Sequence, residues 1–322
     1  MVPDNTDALD KLIKSGVLGI KAFLVHSGID EFPNVTEEDL RKGMPVIAKY
    51  DVPLLVHSEL ITDNSSSLKE GIDPRSYDNY LNSRPKSWED NAIKLMISLC
   101  REFNCSTHIV HLSSANSLSQ LKAAREEGLP LTVETCPHYL VFCAEDINDG
   151  DTRYKCAPPI REKSNNELLW QALKDGTIDF IVTDHSPSAP ELKLLDSGNF
   201  KDAWGGIAGL QFSLPVTWTE ARKRDFTIPD ISALMSTKIA QFIGIDDRKG
   251  KLAPGYDADL VVWDPEKSFT VEKSVIQHRH KITPYEGKTL HGVVEQTYVG
   301  GEKVFDKGAF VSLHRGEVLL RN

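Results

Sequence analysis

Five short runs of continuous apolar residues, each carrying a polar side chain toward the same end, set the tightest limit on what this chain can fold into. They are VLGIKAFLV (17–25), VPLLVHS (52–58), STHIVHLSS (106–114), LPLTVETCP (129–137) and TIDFIVTDHS (177–186). Runs rich in Val, Ile, Leu and Thr that do not alternate with polar residues suit parallel strands buried on both faces. Amphipathic stretches separate them. TEEDLRKGMPVIAKY opens with Thr36 as an N-cap and acidic residues in its first turn. SWEDNAIKLMISLCREF opens with Ser87 and has Asp90 three residues on, an imperfect capping box. SANSLSQLKAAREEG and NNELLWQALKDG end at Gly128 and Gly176, where a helix-terminating glycine belongs.

Repeated strand–helix units imply a parallel sheet, either doubly wound or closed into a barrel. The position of the polar residues decides between them. Lys21, His57, His111, Glu134 and Asp184 all fall in the later part of an apolar run. A barrel collects its chemistry at the C-terminal ends of its strands, whereas a switch-point cleft draws on only two or three. The expected fold is therefore an α/β barrel over residues 1–245. From about residue 246 the pattern changes to short strands and Gly turns: KGKLAPGYDADLVVWDP, GVVEQTYVGGEKVF and GAFVSL, with Gly300-Gly301 as a hairpin turn. Residues 246–322 read as a small β appendage.

Composition narrows the function. The 322 residues carry a formal net charge of −10, which argues against nucleic acid or an anionic membrane as partner. No apolar run is long enough to cross a membrane, and MVPDNTDALDKL has neither the basic nor the apolar region of a signal peptide. The five cysteines contain no CxxC pair, which favours reduced thiols and the cytoplasm.

Lys21 is the most informative residue, because an unpaired ammonium inside an apolar run is costly. Either a neighbouring strand pairs it or it snorkels to solvent, or it serves as a nucleophile or a metal ligand. His57, His111 and Asp184 at the ends of their runs make a plausible His/His/Asp metal set. Asp184 at such a place can hold an ion and accept a proton from water, although a turn aspartate is the plainer alternative. His108, three residues before His111, is expected on the opposite face, packed on a helix. His138, in CPHYL, follows a strand and can face substrate. KCAPPIR is a rigid Pro-Pro turn, whose backbone at Cys156 and Ala157 can offer N–H and C=O groups. The glycines of DAWGGIAGLQ form a tight loop, not a phosphate-binding fingerprint. His278-Arg279-His280 reads as a structural or interface segment and not as a metal pair.

The chain resembles the cyclic amidohydrolases, a family that includes hydantoinases, dihydropyrimidinases, dihydroorotases and, in closest resemblance, allantoinases. GIKAF, LLVHSE, HIVHLSS, ETCPHYL, KCAPPIR, TDHSP, AWGGIAGLQ, KLAPGYDADLVVWDP and RHKITPYEGKTLHG carry the likeness, in the family's order. The resemblance implies a TIM-like (β/α)8 barrel with part of a β-sandwich, and a zinc centre of two ions bridged by a carboxylated Lys21. It implies that His57 and His111 bind one ion, while Asp184 binds the other and acts as general base and acid. It also implies hydrolytic opening of a small cyclic ureide, allantoin to allantoate, in a homo-oligomer (a tetramer in the family). One departure stands out: the family's first-strand HxH is absent, and MVPDN aligns after the third barrel strand. A shortened chain is expected, lacking the barrel's first strands and half of the sandwich, and with little or no activity alone. The rival readings are a dihydropyrimidinase or hydantoinase, and a non-catalytic scaffold like the collapsin response mediator relatives. Retention of Lys21, His57, His111 and Asp184 speaks against the scaffold, and the missing HxH speaks for it.

Overall fold

All five apolar runs form strands that pair in parallel in a computed structural model describing residues 1–50, 52–62, 71–312 and 316–321. They are β1 (Ile20–Phe23), β2 (Leu54–His57), β3 (Thr107–Ile109), β4 (Leu131–Thr135) and β5 (Phe180–Ile181), in one sheet of spatial order β1-β2-β3-β4-β5. Sequential parallel neighbours joined by helical crossovers are the repeat unit of an α/β barrel. Here the sheet is open, with β1 and β5 at its edges.

The two faces differ. Ile20, Ala22, Leu54, Val56, Ile109 and Val133 on one face are almost wholly buried. It shares one apolar cluster with the helices α1 (Thr6–Lys14), α2 (Glu37–Ile47), α3 (Tyr77–Ser83), α4 (Lys86–Phe103), α5 (Leu118–Glu126), α6 (Pro137–Val141) and α7 (Lys163–Lys174), of which α4 and α5 pack on β3 and β4. The other face carries Lys21, Phe23, Leu55 and His57, and the first three remain partly exposed.

Three of the four expected cap residues hold. Thr36 caps α2 in a complete capping box: Asp39 N donates to its hydroxyl at 3.2 Å, and Thr36 N donates to the Asp39 carboxylate at 2.8 Å. Gly128 and Gly176 take left-handed φ of +80° and +81° after α5 and α7. Ser87, however, lies inside the first turn of α4, whose N-cap is Pro85 with extended backbone. A proline has no N–H to lose and fits a helix entry, so the helix starts one residue before Ser87.

His108 also departs from expectation. It does pack on a helix, against Phe242 of the last helix and Phe180 of β5, with ring centroids 4.3 and 5.2 Å away. The register Lys21↔Leu55↔His108↔Thr132 nonetheless puts it on the same face as Lys21 and His57. Alternation fails as a guide because β3 ends at Ile109 and His111 has φ +42°. A residue in the left-handed region breaks the period of two.

After β5 come α8 (Ser213–Ala221), α9 (Ile228–Ser232) and α10 (Lys238–Phe242). The appendage is an antiparallel sheet of order β6 (Leu260–Thr270), β7 (Thr289–Val299), β8 (Glu302–Asp306) and β9 (Ala309–Phe310). Gly300 and Gly301, at φ +57° and +84°, make the β7–β8 turn. Two positive φ values suit the right-handed twist of a hairpin. In GAFVSL, β9 covers Ala309–Phe310, while Leu313 lies outside the described residues.

Candidate metal centre

Lys21 projects from β1 onto the partly open face, its ammonium 4.8 Å from the Phe23 ring centre. Among the described residues no carboxylate reaches it at ion-pair distance. Burial pushes it down to about 8, against the pull of Asp184 and Glu134. The salt-bridged reading of this lysine is thus not met, and the costly group stands with long-range compensation only.

His57 closes β2 and His111 follows β3, with ring centroids 4.6 Å apart at an interplanar angle of 70°. Burial lowers both imidazoles, His111 well below the ordinary range, with His57 and Lys21 adding to the effect. Neutral imidazoles are the ligating form. The buried His111 Nδ1 has no partner among the described residues. Asp184 lies beyond β5 and, like His111, takes φ +42°. Two non-glycine residues in the left-handed region at corresponding strand ends fit a functional constraint, since such positions persist where the surroundings demand them. Asp184 as a residue is exposed at the strand end. Partial desolvation raises its carboxyl pKa, with Glu134 adding, while Lys21 and His57 oppose.

Lys21, His57, His111 and Asp184 therefore come from β1, β2, β3 and β5 to one end of the sheet. Among the described residues no three His, Cys, Asp or Glu side chains cluster closely enough to hold an ion by themselves. The two imidazoles need a further donor, and Lys21 is the group that acts on both electrostatically. The unpaired buried nitrogen of His111 beside the His57 ring fits a metal site that a further oxygen donor would complete. The Glu134 carboxylate lies 3.0 Å from His108 Nε2, off the line of a hydrogen bond.

The other candidates fall around this cluster. His138 sits in α6, 1% exposed, within electrostatic reach of His111 and Lys193. Both its ring nitrogens lack a partner among the described residues, and burial takes it down to about 3. In KCAPPIR the carbonyls are pinned one after another: Cys156 by the Tyr80 hydroxyl at 2.6 Å, Pro158 by Tyr139 at 2.7 Å, Pro159 by Ser113 at 2.6 Å and Ile160 by Tyr77 at 2.8 Å. The Cys156 carbonyl is thus already engaged, and partly exposed Ala157 is the more open of the two. All five cysteines are free and buried. AWGGIAG explains itself by close approach, since a Cβ on Gly206 would meet the Ser186 carbonyl at 2.4 Å. His185 and Ile207 form a parallel bridge there. His278 packs near His185, with ring centroids 5.8 Å apart, and belongs to no cluster of three metal-binding side chains among the described residues.

Several buried charges escaped the sequence. Glu59, fully buried, meets His57 Nε2 at 2.8 Å and accepts from Arg84. Burial would raise its pKa, yet Arg84 and His57 together hold it at about 2. Glu89 accepts from the Ser113 and Ser114 amides at 3.0 and 3.1 Å, in the loop after His111, and pairs with Arg161 at 3.2 Å. Lys193 donates to the carbonyls of Thr152, Lys155, Trp204 and Gly206 at 2.6–3.4 Å. Only Glu59 had a local signal, a charged residue just past a predicted strand; Glu89 sits in a helix and Lys193 in a short turn, and most of their partners are remote in sequence.

Residues 3–304 match the amidohydrolase family. The chain is 45% identical over 320 residues to a probable allantoinase of Oryza sativa subsp. japonica, covering 95% of this chain and 63% of that protein. It is 45% identical to an allantoinase of Arabidopsis thaliana, covering 97% of this chain and 64% of the relative. Among solved structures, L-hydantoinase (dihydropyrimidinase) from Arthrobacter aurescens superposes with a TM-score of 0.89 at 28% identity, over 97% of this chain and 70% of that one. Dihydropyrimidinase from Brevibacillus agri gives 0.87 at 27% identity, over 96% and 68%. The chain thus spans a little under two thirds of the length of these two plant relatives. With the match extending through both the parallel sheet and the antiparallel appendage, the chain belongs to the amidohydrolase family.

Proposed function

We propose that this chain carries part of the metal centre of a cyclic amidohydrolase, and that the reaction is the hydrolysis of allantoin to allantoate. The observation that carries the reading is Lys21, half-buried and without a carboxylate at ion-pair distance among the described residues, beside the facing rings of His57 and His111. A lysine in that position becomes an anion once carboxylated, and a cation beside it then balances the charge. In this reading Lys21, His57 and His111 hold one zinc, and Lys21 and Asp184 contribute to a second. The metal, when bound, polarises the scissile carbonyl and acidifies water.

The chain's own groups do the rest. Asp184 takes the proton as water adds to the ring amide carbon, and returns one to the ring nitrogen as the C–N bond breaks. One water is consumed and the ring opens to a carboxylate. His138, Cys156 and Ala157 are assigned to the substrate, with pinned neighbours keeping the Cys156–Ala157 backbone rigid. Identity to relatives named allantoinase favours allantoin over dihydropyrimidines. The cytoplasm and a homo-tetramer complete the proposal, resting on free thiols and family likeness respectively. Among the described residues no helix is long and apolar enough to cross a membrane.

Metal analysis together with parallel assays on allantoin, dihydrouracil and dihydroorotate tests this. About one equivalent of zinc, dependent on Lys21, is expected, with any turnover restricted to allantoin. Because the 322 residues hold no HxH on an apolar strand, turnover by the chain alone is expected to be slight. Preference for dihydrouracil would move the reading to the hydantoinase branch. Absence of metal uptake would leave the scaffold reading.

A further inference from the structure

Glu59 is 0% exposed, two residues beyond His57. One oxygen stands 2.8 Å from His57 Nε2, and Arg84 donates to both oxygens, through Nε at 3.1 Å and through its terminal nitrogen. Arg84 is itself anchored, with its carbonyl accepting from Arg161 at 2.7 Å and its guanidinium 5.3 Å from the Trp88 ring. With an arginine on both oxygens, Glu59 can only accept a hydrogen bond. The imidazole nitrogen facing it must therefore donate. A metal-binding imidazole is neutral and has one N–H, so a proton on Nε2 leaves Nδ1 as the ring's single lone pair. The Phe23 ring stacked at 5.0 Å and His111 edge-on at 4.6 Å restrict rotation of that ring.

We infer that Glu59, clamped by Arg84, is a positioning residue that holds His57 as the Nε2–H tautomer and so makes Nδ1 its metal-binding atom. This rests on the proposed metal centre, and the tautomer itself is open to measurement without metal. An acceptor behind a metal-bound imidazole both orients the ring and raises its basicity. Arg84 sharpens the assignment. In Glu59→Gln the guanidinium claims the amide oxygen, which turns the amide NH2 toward His57 Nε2. That nitrogen must then accept, and the proton moves to Nδ1, where it blocks the lone pair. The isosteric variant is therefore expected to do more than remove a hydrogen bond.

The test uses the 322-residue chain with 15N-labelled histidine, stripped of metal. Long-range proton–nitrogen correlation reads each tautomer, with His57→Asn identifying the His57 signal. Wild type is expected to show Nε2–H at His57, and Glu59→Gln to show Nδ1–H with the His111 signal unmoved. Zinc affinity, measured by competition with a chromophoric chelator, is expected to fall about 10–100-fold in Glu59→Gln. A wild-type His57 protonated at Nδ1 overturns the proposal even if the variant fails to fold. So does a folded Glu59→Gln that retains both the wild-type tautomer and the wild-type affinity. If wild type takes up no zinc, the metal reading falls, and the tautomer measurement still decides the role of Glu59.

Discussion

Lys21 shows how one side chain separates two accounts of a site. A structural lysine in a buried ion pair is worth about 3–5 kcal/mol when its charge is removed. Lys21 has no such partner among the described residues, and burial works against its charge. In the metal-free protein, Lys21→Met is therefore expected to be at least as stable as wild type by urea unfolding, while zinc uptake is abolished. A loss of several kcal/mol would restore the ion-pair account. His138 gives a pH test. Its folded pKa, about 3, lies below the unfolded value near 6.5, so the unfolded chain binds more protons between those values. Stability is full above about 6.5 and falls as pH drops toward 3, by up to about 1.4 kcal/mol per unit from this residue. His138→Gln is expected to flatten that slope between pH 6.5 and 5. Denaturant midpoints of both proteins across the range check it. Both residues were legible in the sequence, because a polar group in or just after an apolar strand needs a reason that composition cannot supply.

The helices were legible to different depths. Apolar spacing located α2, α4, α5 and α7, since each must bury one face on the sheet. Their ends were less certain, because two residues near an N-terminus can compete for the cap. Thr36 won that role in α2, whereas Ser87 lost it to Pro85 in α4. Thr36→Ala is expected to lower stability by about 1 kcal/mol. Exposed Ser87→Ala should change it by less than about 0.5 kcal/mol. Thermal or urea unfolding of the two variants side by side discriminates between them. The short strands had a larger consequence. With β3 ending at Ile109 and β5 at Ile181, His111 and Asp184 sit on left-handed residues past the strand ends, where alternation no longer says which way a side chain points.

At the scale of the molecule, the site's rim is held by charges that bridge distant segments. Lys193 ties the Thr152–Lys155 segment to Trp204 and Gly206, and so sets KCAPPIR against AWGGIAG. An ammonium has three donors, and hydrogen bonds to a charged group contribute about 1.5–3 kcal/mol each. Lys193→Met is expected to destabilise by several kcal/mol and to raise amide exchange in both segments together. Hydrogen exchange localised to one segment, or none, would show that the staple is not needed. The parallel sheet itself is open, with its inner face partly wetted around Phe23 and Leu55.

Taken by itself, the sequence determined the kinds and order of the elements: five parallel strands, the helices between them and the antiparallel appendage. Apolar periodicity and turn glycines are local properties that constrain each segment separately. It also placed Lys21, His57, His111 and Asp184 at one end of the sheet, because strand direction is common to a parallel sheet. Only the tertiary structure decided that His108 shares a face with Lys21, that Lys21 meets no counter-ion among the described residues, and that Glu59 with Arg84 stands behind His57. Those facts depend on register and on contacts between residues 25 or more positions apart, as for Glu59 with Arg84 and Glu89 with Arg161. No local pattern specifies such pairings, because they are chosen by packing once the sheet has formed.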